Sequence, residues 1–248
     1  MMKIEYEHAR NRHSVDGPAV AFPYLRRCLP DSAQSLIDVG CGTGTWLKAA
    51  LENGLTDVMG VDGIIPPLDQ LVIPPSLMLQ RDLIVPLNIG RHFDVALCLE
   101  VAEHLDEVSA DVLIGSLVDL ADTIVFSAAC PGQDGQHHVN CQWPVYWQGL
   151  FNSRGFACDD AVRWTIWDML RVEPWYRQNM FVASRDPQHA GHEKRISGVL
   201  HPELVRQPSE LLKWIAGGGM PVAWYLSAPL TAMAGKFSRC MHRPTSHD

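Results

Sequence analysis

Basic residues are scarce in this 248-residue chain: 20 lysines and arginines stand against 28 aspartates and glutamates, a formal net charge of −8. That balance disfavours a general nucleic-acid binder, whose affinity comes mostly from Lys and Arg on phosphates. No Cys-x-x-Cys pair occurs among the seven cysteines, Cys28, Cys41, Cys98, Cys130, Cys141, Cys158 and Cys240, so zinc-ribbon spacing is absent. Their odd number and scatter suit free thiols in a reduced compartment. The opening stretch MMKIEYEHARNRHSVDG has no apolar core of the kind a secretory signal carries, and the expected location is the cytoplasm. No internal repeat is present, which excludes a solenoid or propeller.

What the chain does have is apolar mass. Hydrophobic residues make up 47% and charged residues 19%, enough for a sizeable core in one large domain with an appendage. Residues 18–29, PAVAFPYLRRCL, look helical, with Pro23 shortening or kinking the helix. Strand and helix signals then alternate. SLIDV (35–39) reads as a strand and residues 43–53 as a helix stopped by Gly54. DVMGVD (57–62), SLMLQRD (76–82) and HFDVALCLE (92–100) read as three more strands, the last apolar enough to be buried on both faces. Residues 106–121 carry helical spacing and DTIVFSAA (122–129) is a fifth strand. A polar loop (131–142), a helix (144–155) and two further strands, 156–163 and 179–185, complete the pattern. Such alternation implies an α/β fold: a mostly parallel sheet with helices on both faces.

The stretch LIDVGCGTGT ends the first strand with Gly40, Gly42 and Gly44 at every second position. In open parallel sheets, ligands bind beyond the carboxyl ends of the strands, where strand order reverses. A dinucleotide site prefers G-x-G-x-x-G, and here the third glycine comes one residue early. Asp62, ending the second strand, can accept hydrogen bonds from both hydroxyls of a ribose. Asp82, ending the third, can accept one from an adenine amine, and Glu100, ending the fourth, faces the same crevice. Three acidic residues around one cleft repel a dinucleotide and suit a ligand with positive charge.

DVGCGTG, VMGVDG, LQRDL and FDVALCLEVAEHL, in this order and spacing, resemble the class I S-adenosylmethionine-dependent methyltransferases. The resemblance covers residues 30–130 well and 130–185 in outline. It implies a Rossmann-like seven-stranded sheet whose last strand pair is antiparallel, with S-adenosyl-L-methionine as cofactor and S-adenosyl-L-homocysteine as product. It also implies a cofactor site of Asp38, Gly40, Cys41, Gly42, Gly44, Asp62, Gly63, Asp82, Leu83, Leu99 and Glu100. In that scheme the glycines line the methionine and ribose side. Asp62 holds the ribose, Asp82 with Leu83 the adenine, and the backbone near Leu99 and Glu100 meets the methionine amine.

Methyl transfer to an alcohol needs a general base, and histidine suits it because its pKa of about 6.5 is close to working pH. His137 and His138 lie in the loop after the fifth strand, and His104 ends EVAEH after the fourth. These three are the catalytic candidates, with His138 preferred of the pair. His13, in the N-terminal segment, is a weaker one. Glu100, Glu103 and His104 form Glu-x-x-Glu-His. This resembles a stretch that, with a later histidine, binds a divalent cation in small-RNA 2′-O-methyltransferases, and it is similar to ubiquinone-pathway O-methyltransferases. A metal at this site stays the less favoured reading. Trp143, Tyr146, Trp147, Trp164, Trp167, Trp175 and Tyr176 crowd the region after the fifth strand, either as core or as a stacking surface for an acceptor. The stretch HHVNCQWPVYW is similar to methyltransferases of bacterial polysaccharide and natural-product pathways. On that resemblance the expected acceptor is a sugar-like or natural-product hydroxyl, with a small amine as the alternative.

The expected domains are a helical cap (1–30), a methyltransferase domain (31–185) and a C-terminal extension (186–248). Trp214 to Gly235 hold no charged residue, and Lys213 and Lys236 flank them. Three consecutive glycines, Pro221 and Pro229 argue against a straight spanning helix. A lid, a homodimer contact or peripheral membrane contact through residues 214–235 are the readings for this stretch. The expected partner is otherwise a small-molecule acceptor, and no nucleic acid. A catalytically silent partner protein of the same fold predicts damaged cofactor motifs, and here they are intact.

Overall fold

Seven short apolar runs form one sheet in the order β3-β2-β1-β4-β5-β7-β6. The computed structural model describes residues 14–206 and Val222. The strands are β1 (Ser35–Val39), β2 (Asp57–Asp62), β3 (Met78–Gln80), β4 (Val95–Leu99), β5 (Thr123–Ser127), β6 (Phe156–Asp159) and β7 (Phe181–Arg185). The first five are parallel, and β7 enters antiparallel between β5 and β6. This is the Rossmann-like seven-stranded arrangement that the motifs imply. Strand order reverses between β1 and β4, which opens a crevice beyond their carboxyl ends.

Side chains alternate across the sheet, so each strand feeds two cores. Ile37, Ala96, Cys98, Ile124, Phe126 and Phe181 face α3 (Glu107–Leu120) and α4 (Pro144–Asn152). Leu36, Val95, Leu97, Val125 and Val182 face α1 (Asp16–Leu25), α2 (Thr45–Glu52), α5 (Ala161–Ile166) and α6 (Pro174–Asn179). Phe126 is the hub of the first layer, with ring centroids 5.4 Å from each of Trp147, Phe151 and Phe181. Both faces being dry explains why these strands read as unbroken apolar runs.

Several expected boundaries differ, each for a local reason. The third strand begins at Met78 because Pro75–Leu77 form a 3-10 turn behind Pro74. The fourth begins at Val95 because the Asp94 carboxylate is taken by the backbone N–H groups of Gln34 and Ser35, both within 2.9 Å. The sixth does not run to 163: the Asp159 carboxylate accepts from the Ala161 N–H at 2.7 Å, and residues 161–166 turn into α5.

The chain divides into two compact units, residues 1–205 and 206–248. Residues 186–205, expected in the C-terminal extension, fall in the first of these units. Residues 186–205 are stitched to the first unit by Glu193, whose Oε1 accepts from Gln148 Nε2 (2.9 Å), Asn152 Nδ2 (2.6 Å) and the Cys158 N–H (3.2 Å). A final short helix, α7 (Pro202–Arg206), follows. His13 and the apolar stretch 214–235, with the lid, dimer and membrane readings attached to it, lie outside the described residues apart from Val222. Among the described residues no helix is long and apolar enough to cross a membrane.

Burial alone would raise the Glu193 carboxyl, but the hydrogen bonds from Gln148, Asn152 and two backbone amides pull it down to about 2. A depressed carboxylate contributes stability that is present above its unfolded value and is lost as pH falls through the folded one. Glu193→Ala is therefore expected to lower Tm at pH 7 by several degrees, for a loss of roughly 2 kcal/mol. The gap should shrink as pH falls below the ordinary glutamate range. Thermal melts across that range check it, and a gap independent of pH contradicts it.

Candidate active site

The glycine loop leaves β1 at Val39. The Gly40 N–H donates to the Val61 carbonyl (2.7 Å) and the Gly44 N–H to the Cys41 carbonyl (2.9 Å), so the turn is closed by its own backbone. Gly40 sits at φ +82°, and a Cβ there would lie 2.2 Å from Val101 Cγ2. Gly44, at φ +84°, would meet Ile73 at 2.6 Å. Two of the three glycines are thus demanded by the protein's own packing as well as by the left-handed backbone. Gly42, at φ +52°, donates its N–H to Asp62 Oδ2 (2.8 Å), which ties the loop to the end of β2.

The Asp62 Oδ1 accepts from the Ile64 N–H at 2.9 Å. Asp38, one strand away, is fully enclosed. Burial, and then the charge of Asp62, push its carboxyl up to about 8. Cys41 is buried against Met78, and burial, with the charges of Asp38 and Asp62 adding to it, pushes its thiol well up into an inert hydrophobe. Asp82 is exposed, with Oδ1 accepting from the Ile84 N–H at 3.1 Å, while Leu83 is buried. Gly63 lies beside them at the end of β2, its carbonyl accepting from Gln80 Nε2 at 3.0 Å. Leu99 is buried, and Glu100 is partly buried at φ +56°, a left-handed conformation that a glutamate rarely adopts.

Across from the glycine loop, the turn after β4 carries Glu103 and His104. The Glu103 carbonyl accepts from the backbone N–H groups of Val139 (2.9 Å) and Asn140 (3.0 Å), and this clamps the loop after β5 over the turn. The clamp brings the His104 and His138 rings to 5.0 Å between centroids. His138 Nδ1 lies 3.0 Å from the Gln133 carbonyl, which can only accept, so Nδ1 carries the proton and Nε2 keeps its lone pair. That Nε2 stands 4.0 Å from Glu103 Oε1. Neither Glu103 oxygen makes a hydrogen bond of proper geometry, although the side chain is wholly buried. Burial pushes this carboxyl well up, and the Glu100 charge adds to it. Burial pushes His104 down to about 4 and lowers His138, so both imidazoles are neutral. One ligand atom from each of Glu103, His104 and His138 falls within 4.8 Å of the others, and one carboxylate with two imidazoles is a donor set for a divalent cation. His137 is exposed at φ +50° and stands outside this cluster.

The aromatic residues divide between the core and the edge of the site. Trp147 is in the core, Trp164 packs on Trp167 (5.1 Å), and Tyr176 meets Trp46 edge-on at 5.1 Å. Two carboxamides that carry no pattern in the sequence reach the site. Glu100 Oε2 accepts from Gln133 Nε2 (2.7 Å) and Oε1 from Asn179 Nδ2 (3.1 Å).

Residues 6–123 match a family model described as a methyltransferase domain. Among curated proteins, the chain is 28% identical over 127 residues to the ribosomal protein L11 methyltransferase of Laribacter hongkongensis, covering 47% of this chain and 40% of that one. It is 41% identical over 51 residues to the ribosomal RNA large subunit methyltransferase E of a Caulobacter species, covering 21% of each. The chain thus spans less than half the length of either relative. Among solved structures, the sugar N-methyltransferase KedS8 of Streptoalloteichus aligns with a TM-score of 0.54 at 17% identity, over 72% of this chain and 91% of that one. Streptomyces venezuelae DesVI aligns with a TM-score of 0.53 at 15% identity, over 73% and 99%. At such identities the likeness carries the fold, which is that of the class I methyltransferases.

If Val101 enforces Gly40, Gly40→Ala combines backbone strain with a clash and costs roughly 3 kcal/mol. Gly54→Ala, also at positive φ but with open space around it, costs about 1 kcal/mol. Val101→Ala should relieve part of the Gly40→Ala loss in the double variant, a non-additivity read from denaturant melts. Strict additivity contradicts the packing argument.

Proposed function

We propose that this chain transfers a methyl group from S-adenosylmethionine to a small molecule, most concretely to a hydroxyl of a sugar-like acceptor. The observation that carries the reading is the pairing, at the strand-order reversal, of the Gly42–Asp62 turn with a carboxylate at Glu100. The cofactor carries a sulfonium and an ammonium, and this cleft sets acidic groups on both lips. Bare backbone at Gly42 suits close approach, and a carboxylate at Asp62 is the acceptor chemistry that ribose hydroxyls bond to. Asp82 and Leu83 would take the adenine, and the turn at Leu99 and Glu100 the ammonium. When bound, S-adenosylmethionine supplies a methyl group on a cationic sulfur that departs by in-line displacement.

The chain's own work is alignment and proton removal. His138, its tautomer set by the Gln133 carbonyl, presents a Nε2 lone pair to an acceptor hydroxyl, and His104 packs beside it. His137 is left out of this role by its exposure.

A second reading has one specific observation in its favour: the buried Glu103 carboxylate, without a hydrogen bond and beside two imidazoles, is what a divalent cation would satisfy. Such an ion would lower the acceptor hydroxyl's pKa in place of a protein base.

Calorimetric titration with S-adenosylhomocysteine, with NADH as control, tests the cofactor. Micromolar binding of the first, lost in Asp62→Ala, is expected, and binding of NADH alone contradicts the reading. Methyl transfer is then scored on sugars bearing free hydroxyls or amines. The base reading expects His138→Ala to lower turnover by about 100-fold with no effect of a chelator. Loss of activity on chelation, with rescue by manganese, selects the cation, and turnover of amines alone moves the accepting atom to nitrogen.

A further inference from the structure

Helix α6 is six residues long, yet its side chains reach both lips of the cleft. Tyr176 packs edge-on against Trp46, the second residue of the helix that leaves the glycine loop. Asn179 donates to the Glu100 carboxylate on the opposite lip. Between them, Gln178 is 1% exposed and Asn179 2%, an environment in which unpaired carboxamides are costly and apolar side chains pack more simply.

The carboxamides are paired with one another and with the site. Asn179 Nδ2 also donates to Gln133 Oε1 (2.9 Å), and Gln178 Nε2 donates to Asn179 Oδ1 (3.1 Å) and to Cys130 Sγ (3.0 Å). Gln178 Oε1 accepts the backbone N–H of His201 at 2.6 Å. The stretch around His201 is fixed in turn by two buried arginines. Arg163 Nη2 donates to the Ser197 carbonyl (3.0 Å), and Arg177 Nη2 to the Glu203 carboxylate (2.8 Å). The network therefore runs without a break from residues 197–203, through α6, to the carboxylate of Glu100.

We propose that Gln133, Gln178 and Asn179 are positioning residues that aim the Glu100 carboxylate at the amino-acid end of the cofactor, with residues 197–203 as their anchor. The backbone of Glu100 is already held, its N–H donating to the Ser127 carbonyl at 2.9 Å. What remains to be fixed is the side chain, and the two carboxamides hold one oxygen each. Hydrogen bonds to a charged group are the strong ones, so each is worth enough to decide a rotamer. A glutamate left to itself at this position would trade among rotamers and water contacts, and the cleft would present a smeared charge.

The proposal rests on the cofactor reading above, and its test separates the two. Two ligands are compared by calorimetry: S-adenosylhomocysteine, and 5′-methylthioadenosine, which keeps the adenosine and the sulfur but lacks the amino acid. In Asn179→Ala and in Gln133→Ala, the latter on a partly exposed loop, S-adenosylhomocysteine is expected to bind about tenfold more weakly. Methylthioadenosine should change by less than about twofold. A merely structural role would weaken both ligands together. Glu100→Gln should show the same selective loss, and adding Asn179→Ala to it should cost little more, because the two act through one carboxylate. Gln178→Glu keeps the acceptor for the His201 N–H but loses the donors, so it should behave like Asn179→Ala. Equal weakening of both ligands, no weakening, or full additivity with Glu100→Gln overturns the positioning role while leaving the cofactor reading intact. Failure of the unaltered protein to bind either ligand overturns both.

Discussion

Four carboxylates crowd the carboxyl edge of a parallel sheet whose two faces are dry, and the rest of the structure is arranged around the cost of keeping them there. Removing an ionised carboxylate from water is expensive unless hydrogen bonds or a counter-charge replace the solvent. Each of the four meets that cost differently. Asp62 is supported by two backbone amides, and one of them closes the glycine loop. Glu100 is pushed up by burial, and the hydrogen bonds from two carboxamides offset that only in part. Asp38, with burial and the Asp62 charge against it, keeps its proton up to about 8. Glu103 has no exposure and no close side-chain partner; burial and then the Glu100 charge push its carboxyl well up, and its loop neighbours bring neutral imidazoles instead of cations.

This division maps onto the crevice. Two of the carboxylates, Asp62 and Glu100, stand at the ends of β2 and β4, on opposite sides of the strand-order reversal. Glu103 stands deeper, under the clamp that its own carbonyl makes with Val139 and Asn140. The clamp is what gives two histidines from separate loops a common environment, and it leaves His137 outside. Helix α6 joins the regions by short-range contacts, so the geometry of the lips and the packing of residues 197–203 are set together.

The sheet was legible because its physics is local. A strand buried on both faces must be an apolar run, and β1 and β2 fall on the residues read as strands. The glycine loop and the acidic strand ends were legible for the same reason: they are fixed by the residues immediately around them. Pro187, His189 and Gly191 look like a linker in the sequence, whereas in the structure a single carboxylate at Glu193 gathers four hydrogen bonds and returns the chain to the core. Helix α5 was hidden in a strand-like run, its start set by Asp159 capping Ala161. The partners of Glu100 were not legible at all. Gln133 and Asn179 are 46 residues apart, carry no periodic signal and acquire meaning only when the antiparallel β7 sets Asn179 beside the end of β4. His104 and His138 were both legible as chemistry, but their contact was not.

The most direct test of this account is a crystal structure of the chain with S-adenosylhomocysteine. The account predicts the ribose hydroxyls on Asp62, the ammonium at Leu99 and Glu100, and the sulfur facing the His104–His138 pair, with the Gln133 and Asn179 bonds to Glu100 kept. A ligand bound away from the glycine loop, or one whose ammonium avoids Glu100 while the carboxamides let go of it, would contradict the central claim that these carboxylates are arranged to receive a cationic cofactor.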